Sequence, residues 1–100
     1  MPEERLARVT WSAQRVRQGL PAAFETVDAA WFGRGATAGE EGWSLVCRYD
    51  EPPRVQGNPT RAWVRFLAPG APHGRLAPGT VWRMFEPGTG QLALVEILAD

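Results

Sequence analysis

The chain has 100 residues, 44% of them apolar, and its 11 acidic residues balance 11 arginines with no lysine, giving a formal net charge of zero. That length allows one domain with one core, and that apolar content excludes a disordered chain. The neutral balance argues against a general polyanion binder, and the lone Cys47 excludes both an intrachain disulfide and a Cys-rich metal site.

The N-terminal Met1-Pro2-Glu3-Glu4-Arg5 has no basic-then-apolar signal pattern, and no apolar run approaches membrane-spanning length. With a single unpaired cysteine, these features lead to the expectation of a cytoplasmic protein, without membrane association.

Arg5 to Trp11 reads as the first strand, with Ala7, Val9 and Trp11 on one face. Gln14 to Pro21 reads as a polar loop. Ala22 to Phe32 fits two patterns: Phe24, Val27, Asp28 and Trp31 have helical spacing, yet the segment can also be extended. Gly33 to Gly42, rich in Gly and Ala, reads as a mobile loop.

Trp43 to Tyr49 is a strand with Trp43, Leu45, Cys47 and Tyr49 on one face, ended by Pro52-Pro53. Arg54 to Pro59 is a connection with a turn signal at Gly57-Asn58. Thr60 to Leu67 is a strand, with Ala62, Val64 and Phe66 apolar and Arg61, Trp63 and Arg65 opposite. Pro69 to Gly79 is a long turn region. Thr80 to Glu86 is a strand in which Trp82 and Met84 alternate with Val81, Arg83 and Phe85. Pro87-Gly88-Thr89-Gly90 is a tight connection into the last strand, Gln91 to Leu98. Short strands punctuated in this way predict an all-β protein, a small closed barrel or sandwich in one domain.

Four stretches carry a family pattern: Glu41-Gly42-Trp43-Ser44, Ala62-Trp63-Val64-Arg65-Phe66-Leu67, Leu76-Ala77-Pro78-Gly79 and Trp82-Arg83-Met84-Phe85-Glu86. Ala93-Leu94-Val95-Glu96-Ile97 stands where that pattern's closing strand runs. From about Glu41 onward the chain resembles the third, C-terminal β-barrel domain of elongation factor Tu, and small standalone bacterial proteins made of that barrel alone. The resemblance implies a six-stranded antiparallel β-barrel with Val64, Phe66, Trp82 and Met84 inside. The family's Glu-Gly-Gly-Arg signature is replaced here by Gln14-Arg15-Val16-Arg17, and Leu92 and Ala93 stand where its last hairpin carries glycines. A lysine-free chain has no phosphate-binding P-loop, so this is neither a GTPase nor an elongation factor.

Catalytic candidates are few. His73, the only histidine, could act as a base for Cys47, but Cys47 falls on an apolar strand face, where a thiol is inert. The plainer reading makes His73 a turn residue. The acidic pairs Glu3-Glu4, Glu40-Glu41 and Asp50-Glu51 lie at a terminus or in loops and read as solvated charge. No spacing matches a calcium or zinc site, so neither a metal nor a cofactor is expected.

The informative stretch runs from Arg54 to Arg83, with five arginines and no acid. If Val64 and Phe66 face the core, Arg61, Trp63 and Arg65 face outward. If the Thr80–Glu86 strand is a neighbour, Arg83 and Phe85 join them in one Arg–aromatic face. That composition suits a protein-interface hot spot. It also suits RNA contact, with backbone pairing and base stacking. Ordinary barrel exterior, with arginines paired to Glu86 or Glu96, is the third reading. The expectation is a non-enzymatic binding module using Arg61, Trp63, Arg65, Arg83 and Phe85 for a protein partner or a second copy. Binding of a tRNA-like RNA is the alternative.

Overall fold

A computed structural model of the protein describes residues 4–33, 42–86 and 90–99. Six strands carry the fold: β1 (Arg5–Trp11), β2 (Glu25–Phe32), β3 (Trp43–Arg48), β4 (Thr60–Phe66), β5 (Val81–Glu86) and β6 (Gly90–Ile97). They pair antiparallel in the closed order β1-β4-β3-β2-β5-β6. The six-stranded antiparallel barrel expected from sequence is therefore the fold, and closure leaves no sheet edge to template aggregation.

Period-2 alternation explains the core. Ala7, Val9, Leu45, Cys47, Val64, Phe66, Trp82, Met84, Val95 and Ile97 point inward and are at most 1% exposed. Burying each large apolar side chain contributes roughly 1.5–3 kcal/mol before entropic costs. Residues 22–32, open between helix and strand in the sequence, contain β2. Its inner face is Thr26, Asp28, Ala30 and Phe32, which is polar toward one end.

The two barrel ends are closed differently. At one end the β4–β5 connection folds inward with Ala71 and Leu76 buried. Trp82 meets Phe32 and Phe66 edge-on at 5.1 and 5.0 Å, and its Nε1 donates to the Arg75 carbonyl at 3.2 Å. At the other end lie two short helices, α1 (Ala13–Gln18) and α2 (Pro53–Gln56). The polar loop expected at Gln14–Pro21 is thus mostly helix. The Ser12 hydroxyl caps α1 by accepting from the Arg15 N–H, and Gly19, at φ 97°, ends it. Likewise, the connection expected at Arg54–Pro59 begins as helical α2.

Asn58 completes the same end by side-chain chemistry. Its Oδ1 accepts from the Trp11 N–H at 2.9 Å and its Nδ2 donates to the Trp11 carbonyl at 3.2 Å. The amide thus takes the place of a strand partner just ahead of the cis Asn58–Pro59 bond. The Trp11 indole N–H donates to the Thr60 hydroxyl, which donates to the Gly57 carbonyl. Each polar atom buried here has a partner, as burial demands. Most of the Gly33–Gly42 loop, and residues 87–89 of the expected Pro87–Gly90 connection, lie outside the described residues.

Candidate functional site

The five residues singled out by sequence do not form one face. In the closed ring β4 is flanked by β1 and β3, while β5 is flanked by β2 and β6, so the two strands stand on opposite walls. The expectation that they are neighbours is corrected by the register. Arg61, Trp63 and Arg65 share one outer wall; Arg83 and Phe85 belong to the other.

The β4 wall can be read row by row. Across β1, β4 and β3, Leu6 lies opposite Trp63, and Trp63 opposite Arg48. The Leu98 N–H bonds to the Leu6 carbonyl, placing Leu98 beside Leu6 on the same face. Leu98, Leu6 and Trp63, all half-buried, therefore form an apolar row across three strands. One bordering row is Glu96, Arg8 and Arg61; Arg8 pairs with Glu96 at 3.5 Å. On the other border stands Arg65, in register with Val46 of β3. Val46 faces outward yet is only 1% exposed.

A strap crosses this wall. Glu4, just before β1, accepts from Arg48 Nε and Nη2, both at 2.9 Å, although β4 runs between the two residues' strands. The hydrogen bonds from Arg48 hold the Glu4 carboxyl below its ordinary range, with burial opposing and the Arg48 charge assisting. Arg48 also reaches Asp50 at 3.5 Å. Partly exposed ion pairs of this kind contribute roughly 0–1 kcal/mol, so their effect is to fix side-chain positions more than to stabilise the fold.

On the β5 wall the same residue types are structural. Arg83 is 3% exposed, and its Nη1 donates to the carbonyls of Phe32 and Gly33 at 2.8 and 3.2 Å. Its guanidinium lies 5.7 Å from the Phe85 ring, which meets Trp31 edge-on at the same distance. The chain returns close over Trp31: a Cβ on Gly42 would sit 2.6 Å from the indole. Arg83 is therefore withdrawn from the docking face expected of it.

The proposed His73–Cys47 pairing has no geometric support. His73 Nε2 lies 3.0 Å from the Pro69 carbonyl, and the ring packs on Phe66. Cys47 instead neighbours Thr26, Tyr49 and Asp28 inside the barrel, and burial pushes its thiol up to about 12. Thr26 Oγ1 and Tyr49 Oη are 2.7 Å apart.

A second feature went unnoticed in the sequence. Trp11, Arg15, Pro21, Thr26, Val27, Asp28, Glu86 and Leu92 line a pocket of about 310 Å³ at the helix-bearing end. Burial, followed by the charge of Glu86, raises the Asp28 carboxyl above its ordinary range, against the pull of Arg15. Nothing marked this pocket in the sequence, because its residues come from six separate elements of the chain: β1, α1, the connection at Pro21, β2, β5 and β6.

Among the described residues no group of three or more His, Cys, Asp or Glu is placed to hold a metal, and no helix is long and apolar enough to cross a membrane. In comparison with known proteins, the chain matches no family model, no curated protein and no solved structure.

Proposed function

We propose that this barrel is a non-enzymatic binding module that docks a protein partner on the β1–β4–β3 wall, centred on Trp63. The observation that carries this reading is the row Leu98–Leu6–Trp63, half-buried on the outside of a closed barrel and bordered by charged rows. An apolar centre with a polar rim is the anatomy of a protein interface, and Trp and Arg are the residues that most often dominate its energy. Arg61, Trp63 and Arg65 keep the role expected of them. Arg83 and Phe85 leave it.

Charge favours a protein over RNA. Arg8 is matched by Glu96, and Arg48 by Glu4 and Asp50, so the wall alternates in sign instead of presenting a cationic stripe. The partner that fits offers apolar side chains to the central row, with carboxylates for Arg61 and Arg65. On this reading, what the chain has in common with the third domain of elongation factor Tu is the scaffold, with the docking wall its own.

The test is affinity capture from the native cell with the wild-type chain and the Trp63→Ala/Arg65→Ala double variant, analysing both protein and RNA. A protein retained by the wild type and lost by the folded double variant is expected. Equal retention by both rejects the assignment. RNA recovered with a steep salt dependence would establish the nucleic-acid alternative instead. A concentration-dependent dimer that the double variant abolishes would make the partner a second copy.

A further inference from the structure

β1 has β4 on one side and β6 on the other. On the outside of the barrel these two flanks complement each other row by row. In the first row Leu6 stands between Trp63 of β4 and Leu98, just past β6, and all three are half-buried. In the second, Arg8 stands between Arg61 of β4 and Glu96 of β6. In the third, Thr10 stands opposite Leu94 of β6, and the β1–β4 register carried on by one residue brings exposed Pro59 to its other side. Across β1, apolar thus answers apolar in two rows, and positive answers negative in the row between them.

A surface of this kind fits itself. A two-fold axis along β1 sets the wall against a second copy and exchanges the flanks, so that β4 of one copy lies over β6 of the other. Trp63 then meets Leu98 of the second copy, Arg61 meets Glu96, and Pro59 meets Leu94. Arg8 meets its own counterpart on the axis, but each is already paired with Glu96 at 3.5 Å. Other placements fit less well, because like charges brought face to face oppose association. An axis between β1 and β4 sets Arg8 on Arg61, and an axis across the strands through the Trp63 row sets Arg61 on Arg65. Two-fold dimers are also the commonest closed assemblies.

We propose that the partner of the Trp63 wall is a second copy of this chain, docked about a two-fold axis along β1 with Arg61 of each copy on Glu96 of the other. The inference rests on the reading of that wall as an interface and names its occupant. Among the described residues Arg61 makes no ion pair, so its charge is open to a carboxylate from outside. Three rows of one narrow, convex wall bury less than a standard interface, so the dimer is reversible and the dilute chain is monomeric.

The experiment is analytical ultracentrifugation of the full chain over a rising concentration series, with circular dichroism to check that each variant is folded. The wild type should pass from monomer to dimer and no further, because an isologous contact closes on itself. Trp63→Ala, Arg61→Glu and Glu96→Arg should each weaken association by roughly tenfold or more. The Arg61→Glu and Glu96→Arg variants, mixed in equal amounts, should form a one-to-one dimer with affinity near that of the wild type. In that mixed dimer the two substituted side chains face each other in one symmetric contact, and native Arg61 faces native Glu96 in the other. A wild type that stays monomeric, variants that associate as the wild type does, or a mixture that associates no better than its components would overturn the proposal. A monomeric chain that captures a different protein, lost with Trp63→Ala/Arg65→Ala, overturns the second copy and keeps the wall. A monomeric chain that captures nothing through Trp63 overturns both.

Discussion

On β4, Arg61, Trp63 and Arg65 stand outside the barrel, with Arg61 in solvent and Trp63 half-covered; on β5, Arg83 and Phe85 also stand outside, yet Arg83 is 3% exposed. The residue types match, and so does the alternation. What differs is the cover. Beside β5, the end of β2 presents the carbonyls of Phe32 and Gly33 to the guanidinium, and the chain at Gly42 closes over Trp31. Beside β4, the neighbours of Trp63 are Leu6 and Arg48, and the Arg48–Glu4 pair that crosses the strand leaves Trp63 half-covered. An outward arginine therefore becomes a structural group or a surface group according to which strand lies next to it, and strand adjacency is a property of the whole fold.

The comparison can be broken most forcefully through the tryptophans. Trp82→Ala should cost about 4 kcal/mol and compromise folding, because Trp82 is 1% exposed at the centre of an aromatic cluster. Trp63→Ala should cost less than about 1 kcal/mol in the same urea titration, as a half-exposed residue outside the core. The arginines give the next contrast. Arg83→Ala should lower stability by about 2–3 kcal/mol, since it strips two carbonyls of a charged donor. Arg61→Ala should change it by less than about 0.5 kcal/mol.

Titration sharpens the contrast between interior and wall. Cys47 is buried, and its thiol is raised from 9.0 to about 12. The unfolded chain therefore ionises first as pH rises, and stability falls progressively from about 9 toward about 12. Denaturation midpoints followed across that window should show a shallower decline in Cys47→Ala. On the wall, the Glu4 carboxyl is lowered by Arg48, so its contribution is present at neutral pH and disappears as pH falls through its native value. Glu4→Gln should be slightly less stable than the wild type at pH 7. The two should converge in acid, and this is the smallest of the four effects.

How much of this was legible beforehand depends on the range of the physics involved. Alternation acts between residues two apart, so the inward faces Ala62–Val64–Phe66 and Trp82–Met84 could be read directly, and with them the barrel. The short helix α1 could not, because its six residues contain no buried side chain and so no apolar stripe. Its only local signal is the Ser12 cap. β2 was hidden because its inner face starts with Thr26 and Asp28 at a polar barrel mouth, so that its pattern mimics helical spacing. The candidate site was half legible. Which side chains leave β4 was clear, but β5 standing on the far wall, and Asp28 facing Glu86, are set by long-range register that no local pattern encodes.

Arginine footprinting with phenylglyoxal tests the central contrast most directly, and the absence of lysine leaves the guanidinium groups as the main targets. Read by mass spectrometry, the free chain should show rapid modification at Arg61 and slow modification at Arg83. In complex with the captured protein, Arg61 and Arg65 should become protected while Arg83 stays as it was. Rapid labelling of Arg83 in the free chain, or a complex that leaves Arg61 and Arg65 as reactive as before, would contradict the assignment of the two walls.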